Sequence, residues 1–158
     1  MLPELTRKKQ ALSQEECVAL LHGQTRGVLC VQGADGYPYG MPMNHFYSEE
    51  ENALYFHCGK VGHRLDALRR CAKASFCCYD GGERREGEWA LHVKSVIAFG
   101  EVEIIENRER VVEIAEKLSR KFTQDEAYIQ GEIAAYADKT LLLRLDICHL
   151  CGKHVTEA

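Results

Sequence analysis

Short apolar runs separated by polar turns dominate the chain, and they predict more strands than helices. Residues 26–32 (RGVLCVQ) form the first such run, and Asp35-Gly36 is a strong turn signal after it. The return strand spans residues 37–47. It contains Pro38 and Pro42, so it is edge-like or bulged, because proline cannot donate to a ladder. A polar turn at residues 49–52 leads to a third strand at residues 53–58 (ALYFHC). Residues 74–79 (ASFCCY) read as a buried strand, 93–105 as a long strand with Gly100 at a bulge or bend, and 140–150 (TLLLRLDICHL) as the last strand.

Helical spacing appears in fewer places. Ser13-Gln-Glu-Glu16 is a capping box, followed by an apolar face of Cys17, Leu20 and Leu21 and a stop at Gly23. Val61, Leu65 and Leu68 fall at helical spacing after a glycine turn. Val111, Ile114, Ala115, Leu118 and Phe122 share one face of a helix over residues 108–122, and residues 126–136 form another. About six strands with few parallel crossovers predict a mostly β protein with peripheral helices (α+β), a small antiparallel barrel closed to remove its edges. The 158 residues suit a single domain with a real core.

Composition excludes several classes. A formal net charge of −4 argues against a generic nucleic-acid binder. No apolar run reaches membrane-spanning length, and the polar start MLPELTRKKQALSQEE is not a secretory signal, so the cytoplasm is the expected location. Eight cysteines without an export signal predict reduced thiols. Several lie in apolar runs, where cysteine acts as a small core residue.

The segment LYFHCGKVGHRLDAL (residues 54–68) carries the most chemistry. An apolar run ends in His57 and Cys58; a turn with Gly59 and Gly62 follows, bearing Lys60, His63 and Arg64; then a helix begins. Cations beside free helix amides make an anion site. The turn lacks the lysine-serine/threonine ending of a nucleotide-triphosphate loop, so the phosphate it suits is that of a cofactor. Lys60 or Arg64 alone reads as an ordinary surface charge; the cluster is what points to an anion.

With the pattern complete, the chain resembles the pyridoxamine 5′-phosphate oxidase-related flavoproteins with a split β-barrel, especially their 5-nitroimidazole reductase branch. Four blocks carry the resemblance: GVLCVQGADGYPYGMPMNHFY, YFHCGKVGHRLDALRR, KSVIAFGEVEII with its following helix, and HLCGK. The resemblance implies a six-stranded split barrel, FMN as cofactor, and a homodimer with the flavin between subunits. It further implies that the segment from Pro42 to Phe46, with Met43 and Asn44 in it, runs along the flavin ring and that His57, Cys58, Lys60, Gly62, His63 and Arg64 cradle its phosphate end. Ser95 and Val96 lie on a nearby strand. Reduction of a small acceptor, including nitroaromatics, is the implied activity, with His57 as the active-site histidine. Relatives often carry lysine where Arg64 stands, and threonine where Cys151 stands.

Plainer readings accompany these. His57 could be a structural histidine; His45 could face the substrate or pack beneath the ring; Asn44 could cap a bend; Met41 and Met43 could fill the core. Trp89 could anchor the core or cover a flavin. Two other functions remain: a non-enzymatic flavin- or haem-binding module, and a zinc-binding structural protein using Cys148, Cys151 and His154, although that set lacks a fourth ligand.

Overall fold

A computed structural model describes residues 6–157. Eight strands form one antiparallel sheet: β1 (Arg26–Gln32), β2 (Pro38–Asn44), β3 (Phe46–Ser48), β4 (Ala53–Gly59), β5 (Lys73–Tyr79), β6 (Glu83–Arg84), β7 (Leu91–Ile105) and β8 (Thr140–Glu157). Their order is β2-β1-β5-β7-β8-β4-β3, with β6 paired to β7. Strands β2 and β3 lie at opposite ends of this order, yet only His45 separates them in the chain. The sheet must therefore curl until its two edges meet at His45, which makes it a barrel. The six long strands are those read from the sequence, apart from the short pieces. The single return strand expected over residues 37–47 is cut in two at His45. The loop over residues 81–88 contributes the two-residue β6.

The barrel interior holds Leu29, Met41, Met43, Leu54, Phe56, Phe76, Cys78, Val96, Ala98, Leu141, Leu143 and Leu145. Helix α1 (Gln14–Gly23) plugs one end with Cys17, Leu20 and Leu21, and α2 (His63–Arg70) contributes Leu65, Ala67 and Leu68. The capping box of α1 is formed in both directions, between Ser13 and Glu16. Val61 does not join the α2 face expected of it; it precedes the helix and is 88% exposed.

Helices α3 (Arg108–Ser119) and α4 (Glu126–Tyr136) cover the outer side of β4 and β8. Ala53, Tyr55, Val111, Ile114, Ala137 and Leu142 form this second, smaller core. The Tyr55 hydroxyl bonds Glu51 and Arg110, and Arg110 also pairs with Glu51 and Glu113, which fastens α3 to the sheet. Phe122 lies beyond the end of α3 and is half exposed, not part of its buried face. Strand β8 runs seven residues past the expected Leu150, paired throughout with the start of β7. The pairing shifts register between Phe99 and Gly100, the bulge that Gly100 foreshadowed. A Cβ at Gly100 would collide with the Asp146 carbonyl. No helix among the described residues is long and apolar enough to cross a membrane.

Candidate functional site

The barrel is not stitched closed along its whole seam. Strand β4 pairs with β3 only from Ala53 to Tyr55, so Phe56 to Gly59 have no strand partner on that edge. Strand β2 pairs with β1 alone, so its other edge is also free. Between these edges lies a hollow of about 470 Å³, lined by Arg26, Pro42, Met43, Asn44, His57, Cys58, Gly59 and Arg64. A smaller one of about 250 Å³ adjoins it around Gly62, His63 and Arg64. Together they bring Pro42, Met43, Asn44, His57, Cys58, Gly62, His63 and Arg64 to one place.

The hollow is cationic. Arg64 donates its Nε to the Met41 sulfur at 3.0 Å, and Arg26 donates its Nε to Asn44 Oδ1 at 2.9 Å. Among the described residues neither arginine pairs with a carboxylate. Helix α2 begins beside them at Gly62, whose φ of +129° is a conformation that glycine takes without strain, and no side chain caps its first amides. Two guanidinium groups without a carboxylate partner among the described residues, beside free helix amides, are a donor set suited to a phosphate. The arginine–Asn44 bond also fixes the amide's orientation, leaving Nδ2 as its donor.

His57 and Cys58 diverge because successive strand residues face opposite ways. His57 follows Ala53 and Tyr55 on the side covered by α3. Cys58 packs against the barrel core. Surrounding protein, and then the Arg64 charge, lower the His57 pKa, so the imidazole is neutral near pH 7. Burial raises the Cys58 pKa despite Arg64, so it remains a thiol. His57 therefore offers one ring N–H and one ring lone pair.

Several expected residues lie elsewhere. Lys60 is exposed on the turn and does not line the hollow. Ser95 sits on β7 between Tyr79 and Lys153, also outside the hollow. The Val96 side chain is fully buried in the barrel interior. His45 is no substrate contact: it is fully buried, donating Nε2–H to the Leu21 carbonyl at 2.8 Å. Trp89 is 84% exposed, stacked only by Arg84. Cys151 and His154 are three residues apart on a continuous strand, hence on opposite faces. No three metal-ligating side chains converge among the described residues. Arg26 is the site residue that sequence reasoning missed. Counting outward from the turn at Asp35 pairs it with Asn44, a signal that was available.

A family model for pyridoxamine 5′-phosphate oxidase matches residues 13–154. The chain belongs to this family. The match takes in the hollow, α2 and nearly all of the barrel of this pyridoxamine 5′-phosphate oxidase family member. No curated protein matches the sequence. Among solved structures, a candidate 5-nitroimidazole antibiotic resistance protein of Bacteroides thetaiotaomicron is similar with a TM-score of 0.78 at 17% identity, covering 93% of this chain and 87% of that one. A conserved hypothetical protein of Mycobacterium tuberculosis gives 0.78 at 18% identity, over 95% and 90% of the two chains. An FAD-binding protein of Mesorhizobium loti gives 0.65 at 22% identity, over 92% and 97%. At these identities the likeness shows the split-barrel fold alone.

Proposed function

We propose that the split in the barrel holds FMN and that the protein is an oxidoreductase passing electrons to a small acceptor, nitroaromatics among them. The observation that carries this reading is the pair of unpaired arginines, Arg26 and Arg64, facing one hollow beside the first amides of α2. That donor set fits a phosphate monoester. Asn44 and the free backbone edges of Pro42–Asn44 and His57–Gly59 suit the carbonyl and nitrogen edge of a flavin ring. The family, the FAD-binding neighbour and the candidate nitroimidazole resistance neighbour support the flavin and the acceptor class.

Bound flavin would supply the hydride or electron transfer. The chain's own residues hold, orient and shield. Arg64 and the α2 amides fix the phosphate; Asn44, held by Arg26, orients the ring edge. Neutral His57 donates its ring N–H to an acceptor's oxygen, so developing negative charge there meets a hydrogen-bond donor.

The same reading includes a homodimer. Pro42, Val28, Cys77, Ile97 and Cys151 lie directly opposite one another across five strands, as do Gly40, Cys30, Ser75, Phe99 and His149. The intervening row points into the core, so these two rows form an outer sheet face that is largely apolar. His149 Nε2 is buried there without a hydrogen-bond partner among the described residues. A second copy would cover this face, and Pro42 would set the hollow at its margin.

The test is direct. Purified protein, or apoprotein given FMN, should show a flavin spectrum with a dissociation constant in the micromolar range or tighter, and chromatography of the released chromophore should identify FMN. Colourless protein that leaves added FMN fluorescence unquenched would remove the reading.

A further inference from the structure

A second cavity of about 440 Å³ lies on the other side of the β4 end, between that strand, α3 and α4. Its walls include Val111, Ala115, Tyr128, Ile133 and Tyr136, and His57 is also among its lining residues. This cavity differs from the hollow in charge. No lysine or arginine lines it, and Glu132 is its one charged residue. Its one formal charge is thus opposite in sign to those of the hollow.

Its aromatic rings are left uncovered by the rest of the fold. Tyr128 is 60% exposed, Tyr136 55% and the neighbouring Phe122 50%, and none has a ring partner among the described residues. Among the described residues of α4 only Ile129 is fully buried; Ile133 packs partly against the second core and also lines the cavity. The volume is that of a small-molecule pocket, and apolar walls with a few polar groups are what such pockets have. Hydroxyls of Ser119, Thr123 and Thr140 supply those groups. The cavity and the hollow share His57, Cys58 and Gly59, so a molecule in one lies a single strand's width from a molecule in the other.

We propose that this α3–α4 cavity binds a flat, uncharged aromatic molecule, with its hydrogen-bonding edge toward His57. Resting on the flavin reading, an acceptor held here would receive electrons, not hydride, because the end of β4 stands between it and the hollow. The lowered proton affinity of His57 agrees, since a neutral imidazole does not bring a charge into an apolar cavity.

The test uses nitrobenzene as the probe and benzoate as its charged counterpart, titrated by calorimetry into apoprotein and FMN-loaded protein, with the His57 ring resonances followed by NMR. Wild type should bind nitrobenzene at least about tenfold more tightly than benzoate and shift the His57 resonances. Ala115→Trp, which fills the cavity from α3, should weaken nitrobenzene about tenfold or more while leaving FMN affinity within about twofold. Tyr128→Ala, at a largely exposed position, should keep the fold and weaken nitrobenzene about threefold to tenfold. The proposal is overturned if wild type does not bind nitrobenzene, if benzoate binds as tightly, or if both variants, folded by circular dichroism, bind nitrobenzene unchanged. If wild type takes up nitrobenzene with these sensitivities but no FMN, the cavity stands and the flavin reading falls. FMN uptake without nitrobenzene binding gives the converse.

Discussion

Acid should loosen this protein through His45. Its Nε2 lies 2.8 Å from the Leu21 carbonyl, which can only accept, so Nε2 carries the proton in the neutral ring. Nδ1 is then an unprotonated nitrogen, buried with no hydrogen-bond partner among the described residues. Protonating it would place a charge in the core against Phe76, whose ring centre is 4.8 Å away. Desolvation, then the Lys121 charge, lower the pKa from 6.5 to about 4. The unfolded chain thus binds this proton at higher pH than the folded one, and stability falls as pH drops from about 6.5 toward 4. At 1.36 kcal/mol per pH unit the cost reaches about 2.5 kcal/mol by pH 4.5. His45→Gln retains a donor for Leu21 but cannot titrate. Urea unfolding of both proteins between pH 8 and pH 4.5 isolates the effect, because the other titrating groups, His57 included, are common to both. The variant should be less stable at pH 8, through imperfect packing, and the gap should close by about 2.5 kcal/mol at pH 4.5. Parallel pH profiles would refute the argument and mean that His45 is hydrated or partnered.

Other substitutions test other parts of the structure. Arg64→Ala should weaken FMN binding by about tenfold to a hundredfold, the value of one hydrogen bond to a charged group, in a fluorescence titration, with Arg64→Lys between it and wild type. Gly100→Ala should destabilise the fold by about 3 kcal/mol or more in urea, because the new methyl meets the Asp146 carbonyl, with its carbon 2.8 Å away, and backbone in a paired strand cannot retreat cheaply. Tyr55→Phe should cost about 1–3 kcal/mol in the same assay, since Glu51 and Arg110 lose the hydroxyl between them in a half-buried setting.

What the sequence made legible follows from how local each cause is. The capping box of α1 and the Asp35-Gly36 turn depend on neighbours, and both are present in the fold. The Gly100 bulge was also legible, because glycine inside a long strand has few other reasons to be there. The break at His45 was not. Residues 37–47 read as one extended run, and only the return of the sheet upon itself turns the chain between Asn44 and Phe46. Nor was the end of β8, where residues 151–157 carry no strong strand pattern and are held by pairing with β7. Much of the binding segment was visible as a cluster of glycines and cations. The partition within it was not: Lys60 does not line the hollow, and Arg26 enters from a distant strand because the hairpin register places it opposite Asn44.

The position of the site is itself a consequence of closure. A sheet edge offers unpaired amides and carbonyls, and proteins normally cover or charge such edges to avoid association. Here β2 and β4 each present a free edge across one gap, and the chain treats the gap in three ways. Pro38 and Pro42 remove donors from the β2 edge. Arg26 and Arg64 add like charges to the gap, which oppose entry of a cationic strand and invite an anion. Helix α2 starts at its mouth with uncapped amides. A planar ligand with a phosphate tail could use what the barrel leaves unpaired: backbone groups for the ring and cations for the tail. The strand that forms one wall, β4, carries His57 near its end, and His57 also lines a second cavity whose one charged residue is Glu132. The hollow and this cavity share His57, Cys58 and Gly59, so the end of β4 is the boundary between a cationic compartment and a mostly apolar one, with a neutral imidazole on it.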